Sequence, residues 1–206
     1  MEPMSPLGPA DGGGEDRYLP RLAEGRAEQL VVLSGCSGGG KSSLLAELGR
    51  RGFQIYEEAG RQVVKEQHYI GGDALPTGNV AQFLELTVSR EIYNLISAAR
   101  GAGIAFFDRG IVDQISGLEH RNLPIPDHLA AAAARFRYRE TVFMVPPWPE
   151  LFATDNERRH SFEYAAASYE TLLRTYDRLG YRAVIVPKLA VGQRADFVLE
   201  TLEITA

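Results

Sequence analysis

The sequence predicts an α/β protein whose parallel sheet is covered by helices on both faces, and three observations predict it. Short apolar runs alternate with longer helix-like segments along the 206 residues, and strands that alternate with helices lie parallel. The central runs are continuously hydrophobic, as in Ile104-Ala105-Phe106-Phe107, which is the pattern of strands buried on both sides. The run Gln29–Ser34 leads straight into Gly35-Cys36-Ser37-Gly38-Gly39-Gly40-Lys41-Ser42. That stretch spells G-x-x-x-x-G-K-[ST], a phosphate-binding loop set between a strand and a helix.

Taken in order, residues 1 to 27 are rich in Pro, Gly and charge, including Gly12-Gly13-Gly14. They offer too little apolar surface to fold alone and read as a mobile leader, with a short amphipathic piece around Leu19–Leu22 that is free to dock on the body. One nucleotide-binding domain is expected over 28–206, a length that buries a real core. Its strands are expected at Leu30–Ser34, Phe53–Glu57, Ile104–Asp108, Thr141–Val145 and Ala183–Val186. Between them the pattern gives helices at Lys41–Arg50, Glu58–His68, Val80–Arg100, Ile111–Glu119, Asp127–Tyr138 and Glu157–Leu179, with a last one at Val191–Ile204. Asn79 through Gln82 has the form of a capping box, and Thr154 through Glu157 is a true one. Tyr164, Tyr169, Leu172, Leu173, Tyr176 and Leu179 then mark a helical apolar stripe that Gly180 ends.

Composition narrows the class. Net charge is −5 with the arginines scattered, so no basic face suits a nucleic acid and none is expected as a partner. No apolar stretch approaches the ~20 residues of a membrane span, and the start lacks the charged-then-apolar pattern of a secretory signal. The single Cys36 excludes an internal disulfide and fits a reducing compartment. The expectation is a cytoplasmic globular protein.

The loop carries the sharpest chemistry. Its glycines let the backbone curl so that successive N–H groups face a β-phosphate, and the following helix adds its positive end. Gly35, Ser37, Gly38, Gly39, Gly40, Lys41, Ser42 and Ser43 are the expected nucleotide contacts. Lys41 reaches the β- and γ-phosphates, and Ser42 ligates Mg²⁺. Ligands of an open parallel sheet bind beyond the carboxyl ends of its strands, so the residues that follow each strand matter most. Asp108, ending four apolar residues, has the place of an acid that holds Mg²⁺ or accepts a substrate proton; strand ends also favour Asp simply as a turn residue. Of Glu57 and Glu58, which alternation points to opposite sides, Glu58 is preferred as the base that orients a substrate hydroxyl, the other reading being an acid that opens a helix. Arg158 and Arg159 oppose the dipole of their helix, a conflict best tolerated where an anion meets them. They read as a lid closing on the transferring phosphoryl group, against a solvated helix end offset by Glu157 and Glu163. Arg61, Glu85, Arg90, Arg109 and Asp113 are candidates for an acceptor pocket. The four histidines show no metal-binding spacing.

These residues bring a resemblance into view. The chain is similar to an AAA-domain-type predicted P-loop ATPase/kinase family, related to nicotinamide riboside kinase domains and, more distantly, to nucleoside and thymidylate kinases. The likeness runs from about Glu28 to the C-terminus. It rests on Gly35–Ser42, Glu57-Glu58-Ala59-Gly60-Arg61, Gly71–Pro76, Phe106–Gly110, Pro146-Pro147-Trp148, Glu157-Arg158-Arg159 with Ser161–Glu163, Val186-Pro187-Lys188 and Arg194–Val198. The resemblance implies a P-loop NTPase fold of the kinase type, with a five-stranded parallel sheet, a small lid after the fourth strand and an adenine pocket near Pro187–Val191, with Pro187 as a nucleotide contact. It also implies a base at Glu58 and metal and phosphate binding at Asp108-Arg109. Nothing resembles the sensor residues or arginine finger of ring-forming AAA motors, and the leader has no counterpart in the family.

The expected function is an ATP/Mg²⁺-dependent phosphotransferase acting on a small hydroxyl-bearing metabolite, nucleoside-like or already phosphorylated. Two other readings are a nucleotide-binding switch that hydrolyses ATP or GTP slowly, and a nucleotide phosphohydrolase. No Asn-Lys-x-Asp guanine motif is present, which favours ATP. A closed polar cavity beside the γ-phosphate separates the kinase from the other two.

Overall fold

The computed structural model describes residues 18–151 and 161–204. Five strands form one parallel sheet: β1 (Leu30–Gly35), β2 (Gln54–Tyr56), β3 (Ala105–Asp108), β4 (Thr141–Val145) and β5 (Arg182–Ile185), in the spatial order β2-β3-β1-β4-β5. Seven helices among the described residues connect them: α1 (Lys41–Arg50), α2 (Ala59–Ile70), α3 (Val80–Ala99), α4 (Ile111–His120), α5 (Asp127–Arg135), α6 (Phe162–Arg178) and α7 (Val191–Thr201). The α/β class, the parallel sheet and the two helical layers are as the sequence predicts.

Alternation along each strand divides the core in two. Val31, Leu33, Phe106, Phe143 and Val145 face α1 and α7, where Leu44, Leu48, Val198 and Leu199 are almost wholly buried. Leu30, Val32, Phe107, Val142 and Met144 face the opposite layer, packing with Val63, Leu95, Ile115, Leu129 and Leu172 from α2 through α6. Burying a side chain such as Leu48 or Leu95 contributes about 2 kcal/mol.

Element ends differ from expectation where tertiary contacts intervene. α5 stops at Arg135 and not at Tyr138, because the Tyr138 ring turns into the core edge-on to Phe107. α2 runs two residues longer, to Ile70, and Gly71 closes it with a φ of 70°. α6 starts at Phe162, where Ser161 accepts a bond from the Tyr164 N–H. The capping box at Thr154–Glu157, the arginines Arg158 and Arg159, and the lid they were expected to form lie outside the described residues. The piece around Leu19–Leu22 forms a 3-10 turn, Pro20–Ala23, that packs on α3 with Ala23 buried.

The register decides where chemistry gathers. Leu33 of β1 stands opposite Asp108 of β3 and Phe143 of β4. The carboxyl ends of the three central strands are therefore level, and the segments leaving them meet on one edge.

Candidate active site

The loop between β1 and α1 folds over the end of β4. The Cys36 N–H donates to Val145 O at 2.9 Å. Gly35, at φ 119°, lies so near β4 that a Cβ there would stand 2.3 Å from the same carbonyl; only glycine fits. A hollow of about 240 Å³ opens over the loop, lined by Ser37, Gly38, Gly40, Lys41, Ser42 and Ser43 with Glu58, Arg61 and Arg109. Lys41 is 6% exposed and its ammonium donates back to Cys36 O (2.9 Å) and Gly35 O (3.3 Å). Burial, and then the neighbouring Arg109, bring its pKa down to about 8 against the opposing pull of Asp108, Glu58 and Asp113.

Ser42 and Asp108 meet, the Ser42 hydroxyl donating to Asp108 Oδ2 at 3.2 Å. Asp108 Oδ1 is buried and has no partner. Burial raises the Asp108 pKa, with Glu58 adding to it and Lys41 and Arg109 opposing. An orphaned carboxylate oxygen beside a serine hydroxyl at a phosphate loop fits a hard divalent cation that takes its other ligands from phosphate and water.

Glu58 and Glu57 diverge as alternation requires: Glu57 is exposed, whereas Glu58 turns inward at the N-terminus of α2. Glu58 accepts from Arg109 Nε at 3.1 Å and lies 3.7 Å from Arg61 Nε. Burial acts to raise the Glu58 pKa, but Arg109, Lys41 and Arg61 together outweigh it and hold the carboxyl below its ordinary value. Arg109 has a φ of 72°, a left-handed conformation that costs a non-glycine residue about 1–3 kcal/mol. Its N–H donates to Leu33 O, and its guanidinium reaches Glu58, Gly35 O and Asp113. Asp113 in turn accepts from Ser34 Oγ (2.6 Å), Arg109 Nη1 (3.0 Å), the Gly110 N–H (3.0 Å) and Tyr176 Oη (2.7 Å). With its oxygens so occupied, Asp113 has the geometry of a residue that fixes Arg109, not of one waiting for an acceptor.

A second cavity, about 300 Å³, adjoins the first. Glu58, Arg61, Arg109 and Ser37 line both hollows. Beyond them the second continues between Val64, Phe83, Tyr169 and Leu172 toward Gln114, Ser116, His120 and Ser168. It is a pocket with a charged mouth, an apolar waist and a polar far wall, assembled from α2, α3, α4 and α6.

Other sequence candidates fall elsewhere. Glu85 bonds His128 at 2.5 Å over a separate hollow lined in part by Tyr18, and Arg90 makes a two-pronged pair with Glu66; neither lines the two cavities. Pro187 follows β5, half-buried, and lines neither cavity. Arg158 and Arg159 are outside the described residues. Sequence reasoning missed Ser34, Gln114 and Tyr176, together with Glu91, whose buried carboxyl accepts from Gln114 Nε2 at 3.0 Å while Oε2 has no partner. A signal for Glu91 existed: with Leu84, Val88 and Leu95 it falls on the buried stripe of α3.

No curated protein matches the chain. Among solved structures it is similar to a NadR protein in complex with NR, with a TM-score of 0.67 and 15% identity over 90% of this chain and 54% of that one, so it spans about half the length of the NadR chain. It is also similar to thymidylate kinase from Candida albicans (TM-score 0.60, 14% identity, 85% of this chain and 91% of that one). Deoxyadenosine kinase from M. mycoides with bound dCTP gives a TM-score of 0.58 and 15% identity over 84% and 98%. The shared feature is a kinase-like P-loop fold. The AAA domain family matches residues 30–194, a span that takes in all five strands, the phosphate loop and every helix that walls the two cavities, and the chain belongs to that family.

Proposed function

We propose that the protein is an ATP/Mg²⁺-dependent kinase of a small, hydroxyl-bearing, nucleoside-like metabolite. The observation that carries this reading is the adjacency of the two cavities. The phosphate hollow suffices for a switch or a hydrolase, whose acceptor is water. A second pocket with an apolar waist, opening at Glu58, Arg61 and Arg109, is what an organic acceptor requires. Its volume suits a ring or two, and the kinases of similar fold that act on nucleosides or nucleotides support the class.

The residues divide the work along that line. Lys41 and the loop amides hold the phosphates, releasing the carbonyl contacts that Lys41 makes in their absence. Ser42 and Asp108 would hold Mg²⁺, which supplies charge neutralisation at the β- and γ-oxygens. Glu58, kept ionised by its arginines, accepts a hydrogen bond from the acceptor hydroxyl and aims that oxygen at the γ-phosphorus. As the new P–O bond forms, the bond to the β–γ bridging oxygen breaks and the hydroxyl proton passes to Glu58. Arg109 and Arg61 stand where charge gathers on the transferring group. Arg158 and Arg159 belong to the same proposal as closing cations. The site is expected to act in the cytoplasm, on small molecules and not on nucleic acid.

The test follows the γ-phosphate. Protein, ATP, Mg²⁺ and pooled small metabolites are incubated and read by mass spectrometry beside Lys41→Ala. A new phosphorylated compound made only by the unmutated protein supports the kinase and names its acceptor. Free phosphate with no phosphorylated product would overturn it in favour of the hydrolase or the switch.

A further inference from the structure

Arg194, in the first turn of α7, has no role in the reading above, yet it is 4% exposed. Its Nη1 donates to Gly39 O and Gly40 O, both at 3.3 Å, and its Nε is buried without a partner. Among the described residues no carboxylate pairs with it. Asp196, two residues on, is taken by Arg51 at 2.6 Å, and the Trp148 ring lies 5.7 Å from the guanidinium carbon. Burial alone lowers its pKa, with no acid opposing. A buried cation lacking a counter-ion is costly, and a fold keeps one most readily where an anion arrives later.

The geometry says which anion. In a trans peptide the C=O and the next N–H point in opposite directions. Drawing the Gly39 carbonyl back toward Arg194 therefore turns the Gly40 N–H toward the hollow in front of the loop, and the Gly40 carbonyl, which Arg194 shares with the Leu44 N–H at 3.2 Å, sets the Lys41 N–H the same way. Gly40 has a φ of 82°, and a Cβ there would stand 2.9 Å from Arg194 Nη1, so loop and guanidinium are fitted to each other. Lys41 grips the carbonyls at the other end of the same loop, those of Gly35 and Cys36.

We propose that Arg194 is a positioning residue of the phosphate loop: from behind, it holds the Gly39 and Gly40 carbonyls back so that the following amides face the nucleotide's phosphates, and those phosphates are the counter-ion its charge lacks. This rests on the reading that the loop binds nucleotide phosphates, and the experiment separates the two. Binding of ATP and of inorganic tripolyphosphate is measured by calorimetry, and melting temperature with and without each, for the full chain and for Arg194→Met and Arg194→Lys. Arg194→Met is expected to weaken both ligands about 10- to 100-fold, as loss of a charge-assisted contact does. The same variant should melt, ligand-free, no lower than the parent, because an apolar side chain replaces an unpaired buried charge. Arg194→Lys, which keeps the charge but cannot bridge two carbonyls, should fall between. If the parent binds neither ligand, the loop reading fails and this proposal with it. Should the parent bind and both variants bind equally well, the proposal alone is overturned. It is likewise overturned if ATP weakens while tripolyphosphate does not, which would make Arg194 a base contact. A ligand-free Arg194→Met that is unfolded or markedly less stable would mark a purely structural residue.

Discussion

The two cavities that meet at Glu58 are built by different means. Apart from Glu58, Arg61 and Arg109, the phosphate hollow is lined by one contiguous segment, Ser37 to Ser43, that joins β1 to α1. The second pocket is lined largely by residues of four helices, with Val64, Phe83, Gln114 and Tyr169 meeting only because the fold brings them together. A backbone site recognises what every nucleotide shares; a side-chain site can be re-cut without disturbing it. Substitutions on the two sides should therefore fail differently.

The largest effect is expected at the buried ammonium of the loop. Lys41→Ala should lower kcat/KM for phosphoryl transfer by about 10³-fold or more and lower ATP hydrolysis in parallel, since both use the same hollow. Loss of transfer with hydrolysis intact would place Lys41 on the acceptor side and dissolve the distinction.

Glu58 tests the border. Glu58→Gln keeps the shape but removes the charge that Arg109 and Arg61 hold. It should reduce kcat about 10²-fold while ATP affinity, from calorimetry, changes by no more than about 2-fold. An equal fall in ATP affinity would show that Glu58 acts through the phosphates, by way of Arg109, and not on the acceptor hydroxyl.

The same division explains what could be read from the sequence. The loop was legible because its chemistry is local: consecutive backbone positions must curl, so glycine and lysine recur at fixed spacing. The sheet was legible from runs such as Ile104–Phe107, and Asp108 from its place at a strand end. The second pocket was not. Arg61 and Arg109 follow strands and line it, whereas Glu85 and Arg90, from the middle of α3, are engaged with His128 and Glu66. Asp113 shows the limit of position as a guide: it sits at the pocket, but Ser34 and Tyr176, 79 and 63 residues away in sequence, occupy its oxygens. Tyr176 reads as one more residue of an apolar stripe, and no local pattern marks its hydroxyl as a partner of Asp113. Pairings of that separation are set by packing, which spacing along the chain does not encode.

A smaller effect belongs to pH on the phosphate side. With a pKa near 8 before ligand binds, Lys41 is charged in both states at pH 6.5, and binding moves no proton. The phosphates favour the ammonium, so the bound pKa is higher. Above pH 8 binding must therefore take up a proton, and affinity falls by up to about tenfold per pH unit. Calorimetry at pH 9 in buffers of different ionisation enthalpy should show that uptake, and Lys41→Arg should abolish it. A parent affinity that is flat from pH 7.5 to 9 would mean that Lys41 is fully charged without ligand.

The smallest effect lies behind the second pocket and concerns stability. Glu91 is buried, with Gln114 on one oxygen and nothing on the other. Burial, then the nearby Asp113 charge, push its pKa well above the ordinary 4.5. Below that ordinary value folded and unfolded chains both hold the proton, and the residue's contribution is complete. As pH rises, the unfolded chain releases its proton first, so stability is lost progressively toward the folded-state pKa. A glutamine side chain has no such proton to lose. Glu91→Gln should therefore melt close to the parent at pH 4.5 and above it by a few degrees at pH 8, with the gap widening steadily between. Parallel melting curves across that range would show that Glu91 is stabilised as a carboxylate, and a gap of opposite sign would show that its charge, and not its amide-like shape, holds Gln114 at the pocket wall.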